Sequence, residues 1–312
     1  MHGQSAQQGI GRSETELSGG LIMQSISRIL VVIEPTAETD TTESLAMRRA
    51  CLIADATSAH LHLLICDKKL DHSELLTTLK HDLQAEEFSV TAEQAWHENV
   101  PQTIVKVQQS EAADLVIKQH FPDNPLKKAL LTPTDWKLLR LCPCPVLMVK
   151  TDHCWIDGAV LAAVDVGNPD GEHMALHYSI VEHASRLAEL TKGELHVITA
   201  HPAPALSAAE PVYQLSDTVE AKYREQCLAF QTEFDVDDAH LHIAEGAADT
   251  LIPFTAHHLQ AAVTVIGSVG RTGISGALIG NTAEVVLDSL ESDVWVLKSE
   301  EAKAHLEKAL AV

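Results

Sequence analysis

Short, nearly continuous apolar runs recur along this chain, separated by longer stretches in which apolar positions return with a helical period. The run Ile29-Leu30-Val31-Val32-Ile33 ends in Glu34, and the run Val160-Leu161-Ala162-Ala163-Val164 ends in Asp165. Runs so evenly apolar predict strands buried on both faces. Each is followed by a helical pattern, at 44–57 and 173–190, and then by a second strand, at 60–65 and 194–199. A third strand follows (89–96 and 240–245), then a helix (101–110 and 249–259) and a fourth strand (114–118 and 262–266). In each half a last helix leads to a fifth strand, at 146–150 and 294–298. This alternation predicts βαβ units, parallel sheets and right-handed crossovers.

The same order of elements appears twice, and its period is far too long for a solenoid, so the pattern is a duplicated α/β domain. The expected limits are 27–150 for the first domain and 159–299 for the second, with a linker at 151–158. Residues 1–26 read as a disordered polar extension, with Met23 the expected natural start, and 300–312 as a tail. The last strand of each half is apolar and belongs at a sheet edge. An uncovered apolar edge invites aggregation, and pairing the two edges within one chain removes both, with Met148 and Trp295 near the seam.

Composition narrows the function classes. The 46% hydrophobic content includes only 4% aromatic residues, so the cores must be built from Leu, Val, Ile and Ala. The 44 acidic and 22 basic residues give a net charge of −22, which repels nucleic acid and anionic membranes. No apolar run has membrane-spanning length and no secretory leader is visible, so a cytoplasmic location is expected. The six cysteines are then expected to be reduced. Cys142-Pro143-Cys144 with His153 and Cys154 lacks the usual metal spacing and reads as thiols packed around a strand. Among 18 histidines, His60 and His62 share one strand face, as do His240 and His242. Metal binding there would need further ligands, so these read as edge-strand residues and no metal is expected.

The chemistry concentrates between the fourth strand and the last helix of the second half. Residues 267–282 carry Gly267, Gly270, Gly273, Gly276 and Gly280, directly after an apolar strand and before a helix start. Glycines let backbone N–H groups approach a ligand, and a helix N-terminus adds unpaired donors and a favourable dipole for an anion. Arg271 inside the loop is a candidate phosphate clamp. The first half has no glycine at the matching place, 119–125. It resumes the pattern at Thr132-Pro133-Thr134-Asp135-Trp136, where Thr132 or Thr134 can cap a helix. The second half also carries an insertion at 200–218, where Pro202, Pro204 and Pro211 forbid a simple helix. Its apolar residues suit a segment folded over something apolar.

These residues resemble the universal stress proteins, most closely their tandem-domain type, over about 27–298. The most specific pieces are Gly267-Ser268-Val269-Gly270-Arg271-Thr272-Gly273, Leu278-Ile279-Gly280-Asn281-Thr282-Ala283-Glu284 and Thr132-Pro133-Thr134-Asp135-Trp136. The resemblance implies two adenine nucleotide alpha-hydrolase-like domains. Each would be a five-stranded parallel sheet, order 3-2-1-4-5, flanked by helices, and the two would pack as an intrachain pseudo-dimer. The family's ATP motif, G-x2-G-x9-G-(S/T), falls on Gly267, Gly270 and Gly280, with Asn281 in the hydroxyl position and Thr282 beside it. The family's strand-end Asp falls on Asp165, and its base-side positions fall on Thr199 and Ala200. Asn281 can donate to a phosphate oxygen through its amide, with a different reach from a hydroxyl. The expected ligand is therefore ATP, another nucleotide or a different phosphorylated molecule.

Other phosphate and catalytic motifs are missing. There is no G-x4-G-K-(S/T), no G-x-G-x-x-G and no G-x-S-x-G. Asp165 and the loop offer binding without a nucleophile or general base, so no catalytic residue is expected and at most slow ATP hydrolysis. The resulting reading is a cytoplasmic stress-response protein that binds its ligand in the second domain and acts through an unidentified protein partner, with further homodimerisation open. Two alternatives stand beside it: a larger amphipathic, phosphate-containing ligand under 200–218, and a structural interaction module whose loop is empty.

Overall fold

The computed structural model describes residues 26–35, 44–121, 130–167, 171–202, 216–268 and 281–310. The first half runs β1 (Arg28–Ile33), α1 (Leu45–Thr57), β2 (His60–Cys66), α2 (Ser73–Ala85), β3 (Val90–Ala95), α3 (Val100–Ser110), β4 (Leu115–Gln119), α4 (Pro133–Leu141) and β5 (Val146–Val149). The second half repeats it: β6 (Val160–Val164), α5 (Gly171–Thr191), β7 (Leu195–His201), α6 (Ser216–Glu233), β8 (Leu241–Glu245), α7 (Ala248–His258), β9 (Val263–Ser268), α8 (Asn281–Ser289) and β10 (Asp293–Lys298). A further helix, α9 (Glu300–Leu310), closes the chain where the sequence reads as a tail. It buries Ala302 and Leu306, and the Ser299 hydroxyl accepts from the Ala302 N–H at 3.3 Å to cap it.

The ten strands form one sheet in the order β3-β2-β1-β4-β5-β10-β9-β6-β7-β8. Each half therefore has the order 3-2-1-4-5, with every neighbour inside a half parallel. Only β5 and β10 are antiparallel, with Val294 opposite Met148, Trp295 opposite Leu147 and Val296 opposite Val146. These residues are fully buried or nearly so.

Both faces of the sheet carry helices, which is why the central strands are apolar throughout. One core holds the inward residues of α1, α2, α5 and α6, and the other those of α3, α4, α7 and α8. Each core runs across both halves without a break at the seam.

The seam is also pinned by polar contacts. Asp293 is fully buried, and its carboxylate accepts from Arg49 Nε (2.8 Å), Trp155 Nε1 (2.8 Å), Lys150 N (2.8 Å) and Thr151 N (3.0 Å). The Arg49 guanidinium lies 4.7 Å from the Trp155 ring centroid. One carboxylate thus ties α1, the linker and β10 together. Lys150 Nζ donates to the carbonyls of Leu287 (2.9 Å) and Leu290 (2.6 Å) at the end of α8, where a cation suits the helix dipole. No helix among the described residues is long and apolar enough to cross a membrane.

Candidate functional site

A parallel sheet offers a ligand site where two neighbouring strands send their crossovers in opposite directions, at the carboxyl ends of the strands. The register gives each half one such point: between β1 and β4, and between β6 and β9. Glu34 and Asp165 follow β1 and β6 in equivalent positions.

At the second point, Asp165 is exposed and its backbone N–H faces His177 Nε2 at 3.4 Å. Thr199 pairs with Val164 in register and is 1% exposed, yet its hydroxyl has no hydrogen-bond partner among the described residues. The same is true of His177 Nδ1 on α5. Burial pushes the His177 imidazole down to about 4, against a smaller upward pull from Asp165. Tyr223 of α6 leans over the turn after β6: a Cβ on Gly167 would lie 2.0 Å from its Oη. Burial, with Asp165 adding to it, raises the Tyr223 phenol. The His201 ring, at the end of β7, lies 5.4 Å from the Tyr223 ring.

Of the residues singled out in the sequence, Asp165, Thr199, Ala200 and Gly267 fall together at the carboxyl ends of β6, β7 and β9. Asn281 and Thr282 open α8, and their side chains lie outside the described residues. Gly270, Arg271 and Gly280 also lie outside them, as does most of the insertion, 203–215. Gly267 has a packing role. A Cβ there would lie 2.8 Å from Leu176 Cδ2 and 2.9 Å from Ile180 Cδ1, so its bareness admits α5. His177 and Tyr223 were not legible in the sequence. A weak signal for His177 is its i, i+4 spacing from His173 just after the Asp165 turn, while Tyr223 arrives from a distant helix with no signal at all.

The first point is built differently. Lys118 Nζ lies 2.6 Å from Glu34 Oε1 and 3.1 Å from Asp135 Oδ1, and His120 Nδ1 lies 2.8 Å from Asp135 Oδ2. Thr132 caps α4, donating to Asp135 through both its N–H (3.1 Å) and its hydroxyl (2.9 Å), and accepting from the Asp135 N–H. Burial pushes the Asp135 carboxyl up, but His120, Lys118 and Thr132 outweigh it and hold it at about 2. Burial pushes Lys118 down, but Asp135 and Glu34 reverse this and raise it. Glu34, Cys66, Lys118, Phe121 and Thr132 line a cavity of about 360 Å³. One lysine is thus matched by two carboxylates, so among the described residues Lys118 is not a free cation for an anion.

The cysteine cluster is a packed pair: Cys142 Sγ and Cys144 Sγ are 3.6 Å apart, and both cysteines are free. At the amino ends of the histidine-bearing strands, Glu194 just before β7 and His196 on it adjoin His240 just before β8, and one potential ligand atom from each lies within 4.8 Å of the others.

The model of the Universal stress protein family matches residues 25–150 and 159–298. Universal stress protein E of Escherichia coli K12 is 35% identical over 219 residues, 68% of this chain and 69% of that protein. Its counterpart in Photorhabdus laumondii is 30% identical over 306 residues, 88% of this chain and 96% of that protein. A solved structure of a functionally unknown protein from Pseudomonas aeruginosa PAO1 is 58% identical with a TM-score of 0.84, covering 93% of this chain and 98% of that one. A universal stress protein from Archaeoglobus fulgidus shares the fold, with a TM-score of 0.58 at 16% identity over 88% of this chain and 99% of that one.

Proposed function

This chain belongs to the universal stress protein family, in its tandem form, and from that premise we propose that it is a stress-response protein that binds one nucleotide or other phosphorylated ligand per chain. The ligand sits in the second half, at the carboxyl ends of β6, β7 and β9, and acts by biasing an interaction with a partner rather than by turnover. One observation carries this reading: the two equivalent switch points are furnished in opposite ways.

At the β1–β4 point, Lys118 is consumed by Glu34 and Asp135. Among the described residues, a phosphate would meet two carboxylates and one already paired lysine there. At the β6–β9 point, Asp165 is exposed and able to accept from a sugar hydroxyl. The buried Thr199 hydroxyl beside it lacks a partner and gains one if a ligand arrives. The phosphate belongs at the glycine loop, with Gly270, Gly280 and Arg271 contributing, and against the first turn of α8 at Asn281 and Thr282. Four unpaired N–H groups open any α-helix and favour an anion.

His177, beside Asp165, has its Nε2 occupied by a backbone N–H, and burial pushes the ring down to about 4, which leaves it a weak base.

Titration calorimetry of the full chain with ATP, ADP, UDP-sugars and inorganic phosphate tests this. The expected result is a stoichiometry of one. Asp165→Ala weakens a nucleotide on the order of tenfold while sparing inorganic phosphate, the loss of a charge-assisted hydrogen bond. Gly270→Val removes both. No heat with any of these compounds, together with no ligand released on denaturing protein from its native source, overturns the proposal. A lipid-like mass in that released material favours the larger amphipathic ligand instead.

A further inference from the structure

We propose that Glu194, His196 and His240 form a site for one divalent ion of the zinc type, at the amino ends of β7 and β8. This goes beyond the ligand reading and does not rest on it. His196 and Thr199 are three residues apart on one strand, about 10 Å, and point to opposite faces.

The three donors converge. His196 Nε2 lies 3.7 Å from Glu194 Oε2, and His240 Nε2 lies 4.0 Å from the same oxygen. One ligand atom from each residue lies within 4.8 Å of the others. A tetrahedral ion with bonds of about 2.0–2.1 Å holds its ligand atoms roughly 3.3 Å apart. Rotations of the Glu194 side chain, which is 69% exposed, and of His240, which is 31% exposed, bring the donors toward that spacing. Two imidazoles, one carboxylate and an open position for water make a donor set that suits Zn²⁺ and rejects Mg²⁺.

The surroundings prepare the ligands. His196 is buried, and its Nδ1 lies 3.1 Å from His242 Nε2. With Nδ1 donating to His242, the Nε2 lone pair is free to face the ion, as in many imidazole sites. His240 Nδ1 lies 3.8 Å from Asp237 Oδ1, and that oxygen accepts from the N–H groups of Ala239 (2.9 Å) and His240 (3.1 Å). This turn fixes the approach of His240 to the strand end.

The first half supplies the contrast. Its register places His60, His62, Thr91 and Glu93 where the second half has Glu194, His196, His240 and His242. There the ring nitrogens meet side-chain oxygens instead: His60 pairs with Ser89 (2.8 Å) and Thr91 (2.7 Å), and His62 with Thr91 (2.8 Å) and Glu93 (3.3 Å). The convergence of imidazoles on one carboxylate belongs to the second half.

Titration calorimetry of ZnCl₂ into the chelator-treated full chain at neutral pH is the test, with MgCl₂ as control. The expected result is one equivalent of Zn²⁺ at micromolar affinity or tighter and no heat from Mg²⁺. His240→Ala and Glu194→Gln, both at accessible positions, each weaken Zn²⁺ at least about tenfold, and His242→Ala weakens it about tenfold through His196. Zn²⁺ raises the unfolding temperature of the native chain and not that of His240→Ala. His72→Ala, which alters a histidine of the first half, leaves Zn²⁺ binding unchanged. Absence of a stoichiometric Zn²⁺ heat, or a heat that survives both His240→Ala and Glu194→Gln, overturns the proposal.

Discussion

His177 and His183 on α5 are buried and held neutral, His183 donating from Nδ1 to the Ser179 carbonyl at 2.8 Å. Burial pushes both down to about 4 from an ordinary 6.5. The folded protein therefore binds fewer protons than the unfolded chain between pH 6.5 and about 4, and stability rises with pH across that window. The contribution is fully present above 6.5 and lost by about 4. Each histidine is worth at most about 3 kcal/mol at 1.36 kcal/mol per pKa unit. Urea midpoints measured from pH 7.5 to 4.5 are expected to fall with pH, and His183→Gln flattens the fall. A flat profile in the wild-type chain rules this out. Asp165 was legible as a candidate because a strand-end acid is a local feature. His177 and Tyr223 were not, because what brings them to Asp165 is the packing of α5 and α6, and nothing in the local pattern encodes it.

Local rules also shaped most of the elements. Thr132-Pro133-Thr134-Asp135 reads as a helix start, and α4 begins there with Thr132 and Asp135 in a reciprocal cap. Thr132→Ala is expected to cost about 1 kcal/mol as a lost cap, and up to about 2 because Asp135 also anchors Lys118 and His120. Guanidinium unfolding reads this as a lower midpoint at unchanged slope, and a midpoint equal to wild type contradicts it. Gly267 fits the motif spacing, and the wall that its missing Cβ clears is Leu176 and Ile180 of α5. Spacing alone cannot distinguish a glycine that admits a ligand from one that admits a helix. The tail read at 300–312 holds α9, whose buried stripe of Ala302 and Leu306 is too sparse to recognise without its partner helix.

Across the whole molecule, the two halves share both cores, and Asp293 gathers Arg49, Lys150, Thr151 and Trp155 at the seam. Asp293→Ala leaves the buried Arg49 without its carboxylate, which is expected to cost about 3–5 kcal/mol. Because the cores are continuous, scanning calorimetry should show one transition in the wild-type chain, shifted down as a unit in Asp293→Ala. Two separated transitions in the wild type would show that the halves melt independently. The apolar runs made the parallel α/β sheet legible, while the strand order of each half came through the resemblance to the universal stress proteins. The asymmetry between the switch points was only half legible. The missing glycines of the first half were plain in the sequence, but the ion network of Lys118 needs Glu34 and Asp135 brought in from two other elements.

The antiparallel joint between β5 and β10 has one more consequence. When separate subunits meet across such a joint, dilution separates them, and any mutation appears on both sides of the axis at once. Here both sides belong to one polypeptide. The matching registers of the two halves make Pro145 the pseudo-symmetric twin of Asp293, so the carboxylate clamp exists on one side only, which identical subunits could not adopt. The joint persists at any concentration, and each side is free to diverge alone.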